Sequence, residues 1–68
     1  MNVTLNGRAA ELRDGATVAD AVVTLELPAG GRGVAVAVDA EVVPRGQWAA
    51  TPLRDGARVE VVQAVQGG

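Results

Sequence analysis

The residues of this chain best suited to chemistry are its last two, Gly67 and Gly68, because the main chain there ends in a carboxylate. Glycine has no Cβ, so such a tail can thread a narrow channel and adopt backbone conformations that other residues avoid. An adenylating enzyme needs that freedom to bring a protein carboxylate to the α-phosphate of ATP, forming an acyl-adenylate that a sulfur or nitrogen nucleophile can open. The alternative is an ordinary frayed end, since chain termini are commonly disordered.

The other side chains offer little catalytic chemistry. The chain has no cysteine, histidine or serine, which excludes disulfides, thiolate nucleophiles, Cys-based zinc sites and the usual general base. Its acids, among them Asp39, Glu41, Asp55 and Glu60, are scattered singly, and their spacing predicts no metal site. We therefore expect a protein that is not an enzyme and that binds neither a metal nor a cofactor of its own.

Charge and hydropathy also restrict the partners. Six arginines against eight acidic residues give a net charge of −2, and the arginines are dispersed rather than clustered as nucleic-acid binding requires. The longest unbroken apolar run, residues 34–38, is far shorter than the roughly 20 residues that span a bilayer. The first residues lack the basic and apolar regions of a signal peptide. These features predict a cytoplasmic protein that contacts neither nucleic acid nor membrane.

The first half of the chain has the pattern of a hairpin followed by a helix. Val3 and Leu5 alternate with polar residues, and the following Asn6-Gly7 pair predicts a type I′ turn into a second strand over residues 8–13, with Ala10 and Leu12 inward. Residues 14 and 15, an Asp-Gly pair, predict a turn after that strand. Thr17 is a helix N-cap with Asp20 in the place of the capping-box Glu. The apolar residues that follow at helical spacing are Val18, Ala21, Val22 and Leu25, and Pro28 predicts an end near residue 26 or 27.

The second half returns to strand periodicity after a glycine-rich connection at residues 29–33. Residues 34–38 form a strand that is apolar on both faces, so it is either covered twice or carries an exposed apolar patch. Asp39-Ala40 predicts a turn into a short strand over residues 41–43. Residues 45–51 are expected to be irregular or a single helical turn, with Trp48 as a core or rim anchor. After an Asp-Gly turn at residues 55 and 56, the last strand covers residues 58–65 with Val59 and Val61 inward.

The predicted order of elements is β-β-α-β-β-β, in which one helix must cover one face of one mixed sheet of four to five strands. A hairpin, a crossover helix and a return strand beside the first strand make an α+β, β-grasp (ubiquitin-like) fold. The domain is expected over residues 1–65, with residues 66–68 as a flexible tail. A terminal Gly-Gly behind this fold favours the adenylation chemistry over a frayed end.

The sheet face away from the helix is a second candidate site. Ala35 and Ala37 on one strand are expected to lie near Val62 and Ala64 on another, forming a shallow apolar patch. Exposed small residues are ordinary and need no functional explanation. A docking surface for partner proteins is the other interpretation, and the sequence leaves the two open.

Several segments together resemble the sulfur carrier proteins of thiamine biosynthesis (the ThiS family), and the resemblance covers nearly the whole chain. Its most specific part is the Val-Pro-Arg of residues 43–45, followed by Trp48, together with the Val-Gln-Gly-Gly ending. The other matching segments are residues 3–7, 17–20, 34–38, 53–56 and 59–64. Departures are modest: Asp39-Ala40 stands where Asn-Gly is common, Ala57 stands where a second Asp often follows, and residues 21–23 are Ala-Val-Val where leucines are frequent.

The resemblance implies a mechanism. An E1-like adenylyltransferase would consume ATP to adenylate the carboxylate of Gly68, and persulfide sulfur from a cysteine desulfurase relay would displace AMP. The resulting C-terminal thiocarboxylate would donate sulfur to thiazole synthase. Gly67 and Gln66 would thread the partner's active site with the tail, the apolar patch would dock on these enzymes, and the carrier alone would be a monomer.

Three other kinds of function remain open at this point. A carrier of another pathway, such as the small subunit of molybdopterin synthase or a cysteine- or tRNA-thiolating carrier, would share the fold and the Gly-Gly end. A ubiquitin-like modifier would be joined to target lysines through Gly68. A plain interaction domain would not need the tail at all.

Overall fold

The computed structural model describes residues 1–27 and 32–63, which form five strands, one α-helix and one 3₁₀ helix. The predicted connection at residues 29–33 therefore lies largely outside the described residues, as do residues 64–68. In chain order the elements are β1 (Asn2–Leu5), β2 (Arg8–Glu11), α1 (Val18–Thr24), β3 (Val34–Val38), β4 (Glu41–Val43), the 3₁₀ helix (Arg45–Ala50) and β5 (Arg58–Gln63).

The β1–β2 hairpin turns as its sequence predicts. Asn6 and Gly7 both have positive φ, 49° and 82°, as a type I′ turn requires. The ladder ends at the pair Asn2–Glu11, so β2 is shorter than the expected residues 8–13. The reason is that only Met1 remains opposite Leu12, with which it exchanges two hydrogen bonds.

Helix α1 begins at the predicted cap and ends earlier than predicted. The Thr17 hydroxyl accepts from the Asp20 N–H, and the Asp20 carboxylate accepts from the Thr17 N–H, which completes the capping box. The expected end at residue 26 or 27 is wrong, because the helix stops at Thr24. Leu25 donates its N–H to Val22, three residues back, and Glu26 takes a left-handed conformation with φ 51°.

The strands form one mixed sheet in the order β2-β1-β5-β3-β4. β1 and β5 are parallel, and every other neighbouring pair is antiparallel. The strand beside β1 is thus β5, the last in the chain, and β3, which follows the helix, lies on the far side of β5. A hairpin, a helix on one face and a central parallel pair make this the predicted ubiquitin-like β-grasp fold.

The core lies between α1 and one face of the sheet. The sheet contributes Val3, Leu5, Val36 and Val59, and the remaining buried residues are Ala16, Val18, Ala21, Val22, Trp48, Leu53 and Ala57. The loop after the 3₁₀ helix is tied to the start of α1, because Val18 donates its N–H to Thr51 and Leu53 donates to Ala16. Since the one α-helix covers only this face, no helix among the described residues covers the other.

Candidate functional site

Strand β5 is the element that leads to the glycine tail, and neighbours hold it on both sides. It pairs with β3 over five residue pairs, from Val38–Val59 to Val34–Gln63. On its other side it pairs with β1 at Thr4–Arg58 and Leu5–Val59. The tail candidates Gln66, Gly67 and Gly68 lie outside the described residues, which end on this strand at Gln63.

The side chain of Asn6 extends the β1 side of this pairing. Its backbone N–H donates to the Val59 carbonyl at 2.9 Å, and its Oδ1 accepts from the Val61 N–H at 2.8 Å. The sequence identified Asn6 only as a turn residue. Its second role depends on the parallel β1–β5 register, which local patterns do not reveal.

The outer face of the sheet, away from α1, brings three of the four predicted docking residues together. Ala35 lies opposite Val62, and Ala37 lies opposite Glu60 on one side and Val42 on the other. The fourth, Ala64, lies outside the described residues. We call Ala35, Ala37, Val42, Glu60 and Val62 the outer patch; with Val36 they line a shallow depression of about 230 Å³.

Four of the five residues of the outer patch are apolar, and its two valines are unusually exposed. Val42 and Val62 are 70% and 64% exposed, on strands whose inward valines are buried or partly buried. Sequence reasoning missed Val42, although its place between Glu41 and Val43 puts it on the outer face once β4 is paired with β3. Glu60 supplies a carboxylate, and the polar Thr4–Arg58 pair continues this face beyond it.

Trp48 lies on the helix side of the sheet and serves the core, as predicted. Its side chain is buried, and its indole Nε1–H donates to the Val43 carbonyl at 2.9 Å. The Arg45 guanidinium lies 5.7 Å from the ring centroid, a cation–π arrangement. Trp48 therefore anchors the segment after β4 and is not a platform for a ligand.

The electrostatics of the described residues are mild. The backbone N–H of Thr17, which donates to the Asp20 carboxylate, lowers the pKa of Asp20 below its ordinary value of 3.8, and the Thr17 hydroxyl and Arg13 act in the same direction. Within residues 1–27 and 32–63, no three acidic side chains are grouped so that they could hold a metal ion. No helix in this part of the chain is long and apolar enough to cross a membrane.

Comparison with known proteins points to a single family. The family model described as "ThiS family" matches residues 3–68. The crystal structure of the thiamine biosynthesis protein ThiS from Geobacter metallireducens is similar over 100% of both chains, with 28% identity and a TM-score of 0.83. The solution structure of a thiamine biosynthesis protein from the same organism has 28% identity and a TM-score of 0.78, over 100% of this chain and 88% of that one. None of the curated proteins matches the chain.

Proposed function

Because this chain belongs to the ThiS family and so has a sulfur carrier role, we propose that it carries sulfur for thiazole formation as a thiocarboxylate on Gly68. The observation that carries the proposal is the extent of the family match, which starts in β1 and runs through the two terminal glycines. A likeness confined to the folded domain would support the fold and leave the tail without a role.

The proposed chemistry has two stages, and partner enzymes catalyse both. In the first, an oxygen of the Gly68 carboxylate attacks the α-phosphate of ATP, and pyrophosphate leaves to give the acyl-adenylate. In the second, the terminal sulfur of a persulfide, supplied by a cysteine desulfurase relay, attacks the acyl carbon and AMP leaves. A thiol then reduces the resulting acyl disulfide, which frees the thiocarboxylate.

The carrier's own contribution is to present the tail and to be recognised. β5 pairs with β3 up to Gln63 and with β1 as far as Val59, so the strand that leads to the tail has a fixed place in the sheet. Gln66 and Gly67 then thread the active site of the adenylyltransferase and, later, that of thiazole synthase. Because these partners use ATP and a cysteine-derived persulfide, the proposal places the exchange in the cytoplasm.

The outer patch is the proposed docking surface for these partners. Val42 and Val62 expose apolar side chains beside the small Ala35 and Ala37, so a partner can approach the sheet closely. The strand that carries Val62 also leads to the tail, so docking here aims the tail at the partner. Glu60 adds a charge that a basic side chain of the partner can pair with at the patch.

The test of the function is the intact mass of the chain after incubation with an E1-like adenylyltransferase, ATP, a cysteine desulfurase, cysteine and a thiol. We expect a shift equal to the exchange of one oxygen for one sulfur. A variant lacking Gly68 is the control and should show no shift. The enzymes must first be shown to load another carrier. If they then give neither an AMP adduct nor a sulfur shift on this chain, the proposal is contradicted. Covalent joining of the chain to a protein lysine would favour the modifier instead.

A further inference from the structure

The two edges of β5 are paired to different lengths. Along β3 the pairing continues to the end of the strand, at Val34–Gln63. Along β1 the backbone pairing stops at Leu5–Val59, four residues earlier on β5. Asn6 extends it by one step, since its Oδ1 accepts from the Val61 N–H, but the chain then turns away with φ 49° at Asn6.

The alternation of hydrogen bonds along β5 identifies which of its backbone groups point toward β1, where the pairing is shorter. Asp39 donates its N–H to the Arg58 carbonyl, so the even-numbered residues of β5 bond toward β3. The odd-numbered residues bond toward β1, as the bonds from Asn6 to Val59 and from Val61 to Asn6 show. By the same alternation, the Val61 carbonyl and the Gln63 N–H point to the β1 side, beyond Asn6. No group of residues 1–27 and 32–63 pairs with either.

We infer that this free edge of β5, the Val61 carbonyl and the Gln63 N–H, pairs with an extended backbone segment of the activating partner. The inference rests on the proposed function. On a strand edge, an acceptor and a donor that no described residue pairs are a template for strand addition, in which main-chain hydrogen bonds contribute to the affinity. Asn6 sets where that pairing can begin, because its side chain occupies the last position before the free groups.

The reach of the tail explains why the activating partner is the occupant. Gly68 is the fifth residue after Gln63, and five steps of extended chain span at most about 18 Å. The partner's adenylation site must therefore lie within about 18 Å of this edge when Gly68 reacts. A second copy of the carrier is a poorer occupant, because a single acceptor and donor make too short a ladder to hold two copies together without a further surface.

The test compares two substitutions at one position. Gln63→Pro removes the free N–H, and the Val34–Gln63 pair is one of those that exchange no hydrogen bonds with β3, so the sheet should tolerate it. Gln63→Ala removes the exposed side chain and keeps the N–H. We expect equal thermal stability for the two variants, and a Kd for the adenylyltransferase about tenfold higher for Gln63→Pro than for Gln63→Ala. Equal Kd values would overturn the inference.

Amide hydrogen exchange gives a second readout that does not depend on proline. In the free carrier the Gln63 amide should exchange much faster than the Val62 amide, which bonds toward β3. In the complex, exchange of the Gln63 amide should slow at least tenfold, and unchanged exchange would count against strand addition.

Sulfur loading distinguishes failure of this inference from failure of the proposed function. If Gln63→Ala is loaded with sulfur and Gln63→Pro binds the adenylyltransferase with the same Kd, only the inference about the edge of β5 fails. If the unaltered chain is never loaded, the proposed function fails and the inference with it.

Discussion

Val59 and Val62 lie three residues apart on β5, yet one is fully buried and the other is 64% exposed. The same contrast recurs across the sheet, where Val36 is 1% exposed and Val42 is 70% exposed. Valine is equally apolar at all four positions, so residue type does not explain the difference. The face does: Val36 and Val59 meet α1, and Val42 and Val62 point away from it.

If the outer patch is the docking surface that we propose, the contrast separates stability from recognition. Burying a valine side chain stabilises a fold by about 1.5 to 3 kcal/mol, and the inner face has that stabilisation. The outer valines leave much of the same free energy available until a partner covers them. For a carrier that docks through the outer patch, this arrangement would let the partner surface change without loosening the core.

The largest effect is expected from a charge on the inner face. Val59→Asp places an unpaired carboxylate in a site with no exposure, and a domain of this size has only about 3 to 5 kcal/mol of stability to lose. We expect the variant to be unfolded at room temperature. Trp48 is the only aromatic residue, so its fluorescence and far-UV circular dichroism report the loss directly. A cooperative thermal transition in this variant would contradict the view that the inner face of the sheet stabilises the fold.

The same substitution on the outer face should act on binding alone. Val62→Asp should change the free energy of unfolding by no more than about 0.5 kcal/mol. Its affinity for the adenylyltransferase should fall by roughly tenfold or more, since it charges the centre of an apolar contact. Val23→Asp is the matched control, because Val23 is 74% exposed and lies on α1. Equal affinities for the two variants would remove the outer patch as a docking surface.

The Asp39-Ala40 turn, which joins β3 to the strand that carries Val42, can be made more stable. Ala40 has φ 71°, a left-handed conformation that costs a non-glycine residue about 1 to 2 kcal/mol. Glycine loses roughly 0.5 to 1 kcal/mol more chain entropy on folding, so Ala40→Gly should raise the free energy of unfolding by about 0.5 to 1 kcal/mol. Ala37→Gly, in the regular strand β3, is the control and should lower it. Urea unfolding measures both, and a loss of stability in Ala40→Gly would contradict the expectation.

The smallest effect concerns the start of α1. The pKa of Asp20 is lowered in the folded chain, chiefly by the Thr17 N–H, so the ionised carboxylate favours folding above its ordinary pKa of 3.8. That contribution is lost as the pH falls through the lowered pKa. Thermal scans from pH 5 downward should show a smaller acid-induced loss of Tm for Asp20→Asn than for the unaltered chain. If Tm falls by the same amount with pH in both proteins, the ionised Asp20 carboxylate contributes nothing to stability.

Local chemistry made much of the fold predictable. Asn6-Gly7 and the Thr17–Asp20 capping box act through neighbouring backbone groups, and both form as predicted. The predicted end of α1 was wrong because Glu26 adopts a left-handed conformation that is found mostly at glycine. The domain boundary at residue 65, the patch residue Ala64 and the tail remain predictions, because residues 64–68 lie outside the described part of the chain.

The order of the elements and the geometry of the hairpin and the helix cap were predictable because each depends on residues close together in the chain. The family was predictable from motifs spread over nearly the whole chain. Three features follow only from packing in three dimensions: β5 lies between β1 and β3, Val42 completes the outer patch, and the Asn6 side chain bonds to Val61. The first and third of these features depend on pairing between strands far apart in sequence, and the second depends on the register that the two-residue turn sets between β3 and β4. Shifting a strand by one residue exchanges its two faces. The inner face of each strand is selected by burial against α1, so the exposed face and the free edge follow from packing that no local pattern encodes.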